Sequence, residues 1–179
     1  MQVEQNARLY FGFLDDPLPL NRAIAEGFQR WAESPETRRT HSFGGRYENV
    51  YIPAQRIPEL GTVLAVARRL AGEVLGLAGD RLRVGFWFNA MERGQRTLAH
   101  THDDADELLS GVYYVEVPPE SGDLLVRDRF SRTIVSPRAG MFVLFAPDLE
   151  HEVSENRSPA RRLSIGMNFG VPEEPEASS

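Results

Sequence analysis

Two histidines and one aspartate in the second half of the chain have the types and the order of a metal site. His102 and Asp104 are separated by one residue in the stretch LAHTHDDADELLSGVYYVEV, and His151 lies far downstream in GMFVLFAPDLEHEV. Two imidazoles and one carboxylate can bind a divalent transition metal on one octahedral face and leave the opposite positions open for other ligands. The sequence therefore predicts a metal site formed by His102, Asp104 and His151.

His100 is an alternative ligand in the same stretch. Side chains alternate along a strand, so His100 and His102 share a face, and a pair made of these two histidines would leave Asp104 free. We favour His102 and Asp104, because a mixed set of imidazole and carboxylate suits iron and oxygen chemistry. A His-x-Asp pair is a weak motif by itself. A metal site is therefore expected only if the surrounding elements bring these residues together.

The segments that would position these residues have the pattern of short strands. After Gly79, eight apolar segments of strand length alternate with turn segments rich in Gly, Pro, Ser or charge, such as PPESG and SPRAG. Short strands with turn signals at roughly 8–12-residue intervals predict a sandwich or a barrel, and eight is the number of strands in a jelly roll.

The first part of the chain has helical spacing in two places. Apolar stripes predict one helix from about Pro19 to Ser34 and another from about Pro58 to Gly76. Between them, the polar, glycine-bearing segment 34–53 predicts a mobile loop over a site, with strand character only over Tyr47–Ile52. Both helices have an apolar face that must be buried against another element, and the spacing places Asn21 on the polar face of the first helix.

These elements fit one domain over residues 1–170, with a helical and lid portion at 1–80 and a jelly-roll core at 81–170. The acidic, proline-bearing segment 171–179 is expected to be disordered.

Composition excludes several classes of function. Asp and Glu outnumber Lys and Arg by 26 to 20, and the net charge of −6 argues against nucleic acid as a partner. The absence of cysteine excludes disulfides and thiolate ligands, so a metal must be held by nitrogen and oxygen. Neither a signal peptide nor a membrane-spanning segment is predicted, so we expect a cytoplasmic monomer or homodimer.

The last predicted strand, RRLSIGMNF, places Arg162, Ser164, Gly166 and Asn168 on one face. If that face lies inside a barrel, Arg162 is a buried cation, which is costly unless an anion pairs with it. A guanidinium beside a hydroxyl is well suited to bind a carboxylate. The strand therefore predicts an anion site.

The stretches HTHDDADELLSGVYYV and GMFVLFAPDLEHEV with RRLSIGMNF resemble the Fe(II)/2-oxoglutarate-dependent dioxygenases over roughly residues 81–170. They are similar in particular to a group of small oxygenases with an SGvyYv strand, in which the first metal element often reads His-x-His. The resemblance implies a mainly β fold, the double-stranded β-helix of the jelly-roll or cupin-like type, here with two N-terminal supporting α-helices.

The resemblance also implies roles for individual residues. The iron would be bound by His102, Asp104 and His151, and the far carboxylate of 2-oxoglutarate by Arg162, which follows His151 by 11 residues. Further contacts to 2-oxoglutarate would come from Ser164, from Tyr114 with Tyr113 as its rival, and from Asn168 or Asn89.

The activity implied is hydroxylation of a C–H bond, most simply in a small molecule, with O2 consumed and 2-oxoglutarate converted to succinate and CO2. One alternative is a peptidyl or protein hydroxylase of the same class. Another is a non-catalytic cupin-like barrel that binds a metal or a ligand, which would have no need for a buried Arg162 and Ser164. The arginines Arg38, Arg39 and Arg46 are either solvated or recognise an anionic group of the substrate.

Overall fold

A computed structural model describes residues 4–6, 8–102, 106–129 and 131–172. In these ranges the chain forms two α-helices, α1 (Leu18–Trp31) and α2 (Leu60–Leu75). The strands are β1 (Glu4–Asn6), β2 (Leu9–Phe13), β3 (Arg38–Phe43), β4 (Arg46–Tyr51), β5 (Arg83–Met91), β6 (Thr97–His100), β7 (Leu109–Glu116), β8 (Leu124–Asp128), β9 (Ser131–Val135), β10 (Met141–Phe145), β11 (Glu150–Val153) and β12 (Arg162–Gly170).

The strands form two antiparallel sheets. The larger sheet has the order β1-β2-β10-β7-β12-β5-β4-β3, and the smaller has the order β6-β11-β8-β9. The last eight strands, β5 to β12, contribute four neighbours to each sheet. This arrangement is the double-stranded β-helix, so the predicted fold class and the eight predicted strands are confirmed.

Both helices lie against the larger sheet. Ile24 and Phe28 of α1 and a buried stripe of α2 pack in one apolar cluster with sheet residues such as Phe88, Tyr113 and Ile165. A second cluster, which includes Tyr114, Val143 and Phe145, occupies the opposite face of the larger sheet. Successive residues of a strand in the larger sheet thus alternate between two sides: one packs against the helices and the next points toward the smaller sheet.

Segment 34–53 is only partly as the sequence predicted: the strand expected over Tyr47–Ile52 is present as β4, but much of the rest is not a loop. Residues 38–43 and 46–51 form a hairpin, β3 and β4, which extends the larger sheet beyond β5. Gly44 and Gly45 make its two-residue turn with φ of 57° and 78°, the positive angles that a type I′ turn requires. The sequence did not indicate β3, because this edge strand has no fully buried side chain and therefore no alternation of apolar and polar residues.

One residue of α1 was assigned to the wrong face. Helical spacing placed Asn21 on the polar side, whereas the structure buries it against β7. Its amide donates to the carbonyl oxygen of Val115 at 2.9 Å, and its side-chain oxygen accepts from the hydroxyl of Tyr113. A polar residue is stable there because both ends of its amide are hydrogen-bonded.

The predicted disordered tail falls mostly on residues 173–179, outside the described residues. In the described part of the chain, neither helix has the length and apolar character needed to cross a membrane.

Candidate active site

Three imidazoles meet at the end of the smaller sheet. His100 on β6 and His151 on β11 are direct partners in the antiparallel register, and their ring centroids are 4.3 Å apart. His102 follows β6, and its ring centroid is 5.0 Å from that of His100 and 5.1 Å from that of His151. One ring nitrogen from each histidine lies within 4.8 Å of the other two. We call these three residues the histidine cluster.

Two members of the cluster are oriented by equivalent hydrogen bonds, one to each ring. Nδ1 of His100 lies 2.8 Å from the carbonyl oxygen of Leu98, and Nδ1 of His151 lies 3.0 Å from that of Leu149. A carbonyl oxygen only accepts, so Nδ1 carries the proton in both rings and Nε2 keeps its lone pair. This is the arrangement that prepares an imidazole to bind a metal through Nε2.

His151 is also kept neutral by its surroundings. Burial, and then the neighbouring His100 ring, lower the pKa of His151 to about 3. A metal ligand must be deprotonated, so this residue needs no proton release to bind a cation near neutral pH. The nitrogen donors of the cluster therefore fit iron or another divalent transition metal.

A buried cation shares a cavity with the histidine cluster. Arg162 on β12 is 1% exposed and lines the same cavity as the three histidines. Its Nη1 donates to the carbonyl oxygens of Ser121 and Gly122, whereas Nε has no hydrogen-bond partner among the described residues. Burial lowers the pKa of Arg162 from its ordinary value. A buried guanidinium whose well-formed hydrogen bonds in the described residues go to carbonyl oxygens can bind an anionic ligand.

A glycine shapes the wall behind Arg162. Gly122 has a φ of 95°, and a Cβ on it would lie 2.3 Å from the carbonyl oxygen of Ser154. Only glycine can place its own carbonyl at the guanidinium here without strain.

Two further polar groups point into the same cavity. The hydroxyl of Tyr114 is fully buried and makes no hydrogen bond of good geometry in the described part of the chain; burial raises the pKa of Tyr114, and the neighbouring guanidinium of Arg162 opposes that rise. Ser164 lies beside it on β12, and its hydroxyl donates to the carbonyl oxygen of Asn89 at 3.4 Å. Tyr113, the rival of Tyr114, faces the helices and is bonded to Asn21 instead.

An outer cleft of about 470 Å³ opens on the other side of the cluster. Trp87 of β5 is part of the wall of both the inner cavity and the cleft. The hairpin supplies His41, Asn49 and Tyr51 to the cleft, and β12 supplies Asn168. The cleft is therefore lined mainly by rings and neutral polar groups.

Two predicted site residues are not among those that line the inner cavity in the described part of the chain. Asp104 is outside the described residues, so its role as a ligand stays a prediction. Asn168 lies in the outer cleft rather than beside Arg162; its side-chain oxygen accepts from the hydroxyl of Ser110 at 3.0 Å. His100 was only the alternative ligand in the sequence analysis, and no sequence pattern indicates that Trp87 lines a cavity. The pairing of β6 with β11 and of β5 with β12 settles where these two residues lie.

The three arginines considered for substrate binding have other partners. Arg46 is bonded to Glu48, to Thr97 and to main-chain oxygens. Arg39 donates to the carbonyl oxygen of Ala32 and to a glutamate, and Arg38 stacks on the ring of Tyr51. The structure thus gives no support to an anion site made of these arginines.

Comparisons with known proteins agree with this geometry. Residues 86–170 match the 2OG-Fe(II) oxygenase superfamily. No curated protein matches the chain in sequence.

Solved structures share the fold at low sequence identity. A prolyl-4-hydroxylase of Pseudomonas putida is 22% identical over 92% of this chain and 93% of its own, with a TM-score of 0.73. The alpha-ketoglutarate-dependent carbocyclase SnoK from nogalamycin biosynthesis is 18% identical over 92% of this chain and 79% of its own, with a TM-score of 0.72. The epimerase SnoN, in complex with Fe3+, alpha ketoglutarate and nogalamycin RO, is 17% identical over 92% and 79%, with a TM-score of 0.69.

Proposed function

We propose that the chain is a 2OG-Fe(II) oxygenase, with Fe(II), 2-oxoglutarate and O2 as its cofactors, and that it hydroxylates a C–H bond of a small molecule; the match of residues 86–170 to that superfamily supports the proposal. The products from 2-oxoglutarate are succinate and CO2. The single observation that carries the proposal is one cavity lined both by a metal-binding group and by a buried cation. The metal-binding group is the histidine cluster, and the cation is the guanidinium of Arg162.

These two groups match the two ends of 2-oxoglutarate. An α-keto acid chelates a metal through its carboxylate and keto oxygens, and its distal carboxylate needs a cation. Arg162 supplies that cation, and Ser164 and Tyr114 offer hydroxyl groups beside it. Buried charge-assisted hydrogen bonds of this kind are strong, because water does not compete for either partner.

The residues of the chain have three tasks in this proposal. His102 and His151, two of the three ligands predicted from the sequence, hold the metal, and the main-chain carbonyl of Leu149 orients His151. Bound iron supplies the activation of O2 and the oxidation of cosubstrate and substrate. Trp87 and Tyr114 close the cavity around the reacting groups and exclude water.

The outer cleft is the proposed substrate site. Its volume of about 470 Å³ lies in the usual range for small-molecule sites. The rings of Trp87 and Tyr51, with centroids 6.4 Å apart, offer faces for a ring or apolar group of the substrate. Asn49 and Asn168 offer hydrogen bonds.

A peptidyl or protein hydroxylase is the second candidate. It is favoured by the likeness to the P. putida prolyl-4-hydroxylase, of which this chain covers 93%. The two candidates differ in the substrate that stimulates turnover, and a panel of proline-containing peptides and ring-bearing small molecules separates them.

The first test is succinate formation by anaerobically iron-loaded protein on exposure to O2 with 2-oxoglutarate. We expect iron-dependent succinate from wild type and from Arg69→Met, which changes an exposed arginine of α2 outside the inner cavity and the cleft, and none above background from His151→Ala. If wild type forms no succinate with any substrate of the panel and does not bind 2-oxoglutarate when loaded with Fe(II), the non-catalytic barrel is the better account.

A further inference from the structure

The outer cleft carries a carboxylate that the described residues leave without a cation. We propose that the substrate bears a cationic nitrogen, an ammonium or guanidinium group, and that Glu107 binds it. This inference rests on the proposed function, because it names the chemical class of the molecule that the cleft would hold beside the metal.

The charged side chains of the cleft wall do not balance. Two glutamates, Glu48 and Glu107, line the cleft, and no arginine lines it in the described part of the chain. The carboxylate of Glu48 is neutralised by Arg46, whose Nη2 lies 3.1 Å from it and whose side chain is 7% exposed. The charge of Glu107 therefore remains uncompensated in the described wall.

Glu107 forms no ion pair with the described residues. Its carboxylate is half-buried and accepts one long hydrogen bond, from the side-chain amide of Asn168 at 3.5 Å. The neighbouring carboxylate differs, because Asp106 is paired with the guanidinium of Arg83. A cationic ligand would give Glu107 the charge-assisted hydrogen bond that these residues do not supply.

The position of Glu107 is fixed from β12. The main-chain nitrogen of the next residue, Leu108, donates to the carbonyl oxygen of Phe169 at 2.8 Å. The side-chain oxygen of Asn168 accepts from the hydroxyl of Ser110 at 3.0 Å, which leaves its amide nitrogen for Glu107. A carboxylate held in place loses little conformational freedom when a ligand binds to it.

The aromatic wall of the cleft suits the same kind of ligand. Tyr51 and Trp87 both line the cleft, and the faces of such rings attract cations. Tyr51 already binds one cation in this way, since Cζ of Arg38 lies 4.1 Å from its ring centroid. Arg38 itself is exposed and does not line the cleft, so solvent screens its charge from a bound ligand. The cleft thus offers both a carboxylate and ring faces to a cation.

Bound iron and 2-oxoglutarate do not reverse this balance. In the proposed function, the double positive charge of iron and the single charge of Arg162 face the double negative charge of 2-oxoglutarate and the carboxylate of Asp104, the predicted ligand. These formal charges cancel, and the charge of the metal itself is included in the sum. Glu107 then supplies the net charge that a substrate meets in the cleft.

The test compares three probes of similar shape and different charge: phenethylamine, which is cationic near neutral pH, phenethyl alcohol, which is neutral, and phenylacetate, which is anionic. Each is titrated into the metal-free full chain and into the anaerobic Fe(II) protein with 2-oxoglutarate. Tryptophan emission reports binding, because Trp87 lines the cleft. The variants are Glu107→Gln and Glu107→Lys. Glu73→Gln is the matched control, because it removes an exposed carboxylate of α2.

We expect wild type and Glu73→Gln to bind phenethylamine roughly fivefold or more tightly than phenethyl alcohol, and to bind phenylacetate least tightly. Glu107→Gln should bind the amine and the alcohol within about twofold of each other, because the carboxylate is gone. Glu107→Lys should prefer phenylacetate, a reversal that a purely structural role of Glu107 would not produce.

The inference is overturned if wild type binds the three probes equally, binds none of them or prefers phenylacetate. It is also overturned if Glu107→Gln keeps the full preference for the amine. Failure of the proposed function gives a different result. A protein that forms succinate without preferring the amine keeps the function and loses the substrate class. A protein that prefers the amine but neither binds 2-oxoglutarate nor forms succinate keeps a cation-binding cleft and loses the function.

Discussion

The indole of Trp87 occupies the space that a side chain at residue 166 would fill. Trp87 and Gly166 are paired across β5 and β12, and a Cβ on Gly166 would lie 2.5 Å from Cε2 of Trp87. Trp87 is in ring contact with His102, with centroids 5.8 Å apart, and lines both the inner cavity and the outer cleft. The wall between the two compartments thus depends on the absence of a side chain at residue 166.

Gly166→Ala is therefore expected to displace Trp87. Overpacking of this kind costs about 1–3 kcal/mol of unfolding free energy, and the emission of Trp87 should change with it. Gly85→Ala is the matched control, because Gly85 lies on β5 with nothing within 4 Å of its Cβ position. Urea unfolding and tryptophan fluorescence measure both effects. Equal stability of the two variants would show that the indole of Trp87 can move away from residue 166 without a loss of stability.

Arg162→Met is expected to weaken 2-oxoglutarate binding. Loss of a charge-assisted pair should raise the 2-oxoglutarate concentration required at least tenfold, about 1.4 kcal/mol or more. Arg161→Met is the control, because Arg161 pairs with Glu116 and stacks on Phe28 on the other side of the sheet. The dependence of succinate formation on 2-oxoglutarate measures the difference. A larger effect in Arg161→Met would show that Arg161, and not Arg162, binds the carboxylate.

Loss of the hydroxyl should lower stability at one of two neighbouring tyrosines and 2-oxoglutarate affinity at the other. Tyr113→Phe removes a buried hydrogen bond to Asn21 and should cost about 1–3 kcal/mol of stability without changing 2-oxoglutarate affinity. Tyr114→Phe removes a hydroxyl that makes no hydrogen bond of good geometry in the described residues, so stability should be kept. Its 2-oxoglutarate affinity should fall about 2- to 10-fold.

Thermal unfolding with and without 2-oxoglutarate separates these two effects. The prediction fails if Tyr114→Phe is the less stable variant, or if Tyr113→Phe is the one that loses affinity for 2-oxoglutarate.

Arg46 is expected to hold the hairpin to the barrel. Its guanidinium links Glu48 to Thr97 and to main-chain oxygens, and its side chain is 7% exposed. Arg46→Met leaves Glu48 half-buried without its cation and should cost about 2 kcal/mol or more. Arg69→Met removes an exposed pair within α2 and should cost less than about 0.5 kcal/mol. Urea unfolding of both variants tests the contrast; similar losses would mean that the hairpin is held by other contacts.

Sequence reasoning worked where the pattern is local. Strand alternation in RRLSIGMNF placed Arg162 and Ser164 on one face, and both line the inner cavity. The strands of the barrel were recognisable for the same reason, since apolar runs and turn residues alternate along the chain. Residue type and spacing were enough to predict these features.

The misses concern partners from distant parts of the chain. Asn21 is buried because Tyr113 and a carbonyl of β7 satisfy its amide, which no helical pattern indicates. His100 is opposite His151 because β6 pairs with β11 in one register, and sequence spacing does not specify that register. The hairpin turn Gly44–Gly45 was the one overlooked local signal.

The most direct test of the account is calorimetric titration of 2-oxoglutarate into the protein under anaerobic conditions. The metal-free protein, the Fe(II) protein and the Fe(II) form of Arg162→Met are compared. We predict measurable binding that needs both the metal and Arg162, so that omitting the metal or changing Arg162 each weakens it at least tenfold. Binding that is unaffected by the metal and by Arg162, or no binding to the Fe(II) protein, would contradict the assignment of this cavity to 2-oxoglutarate.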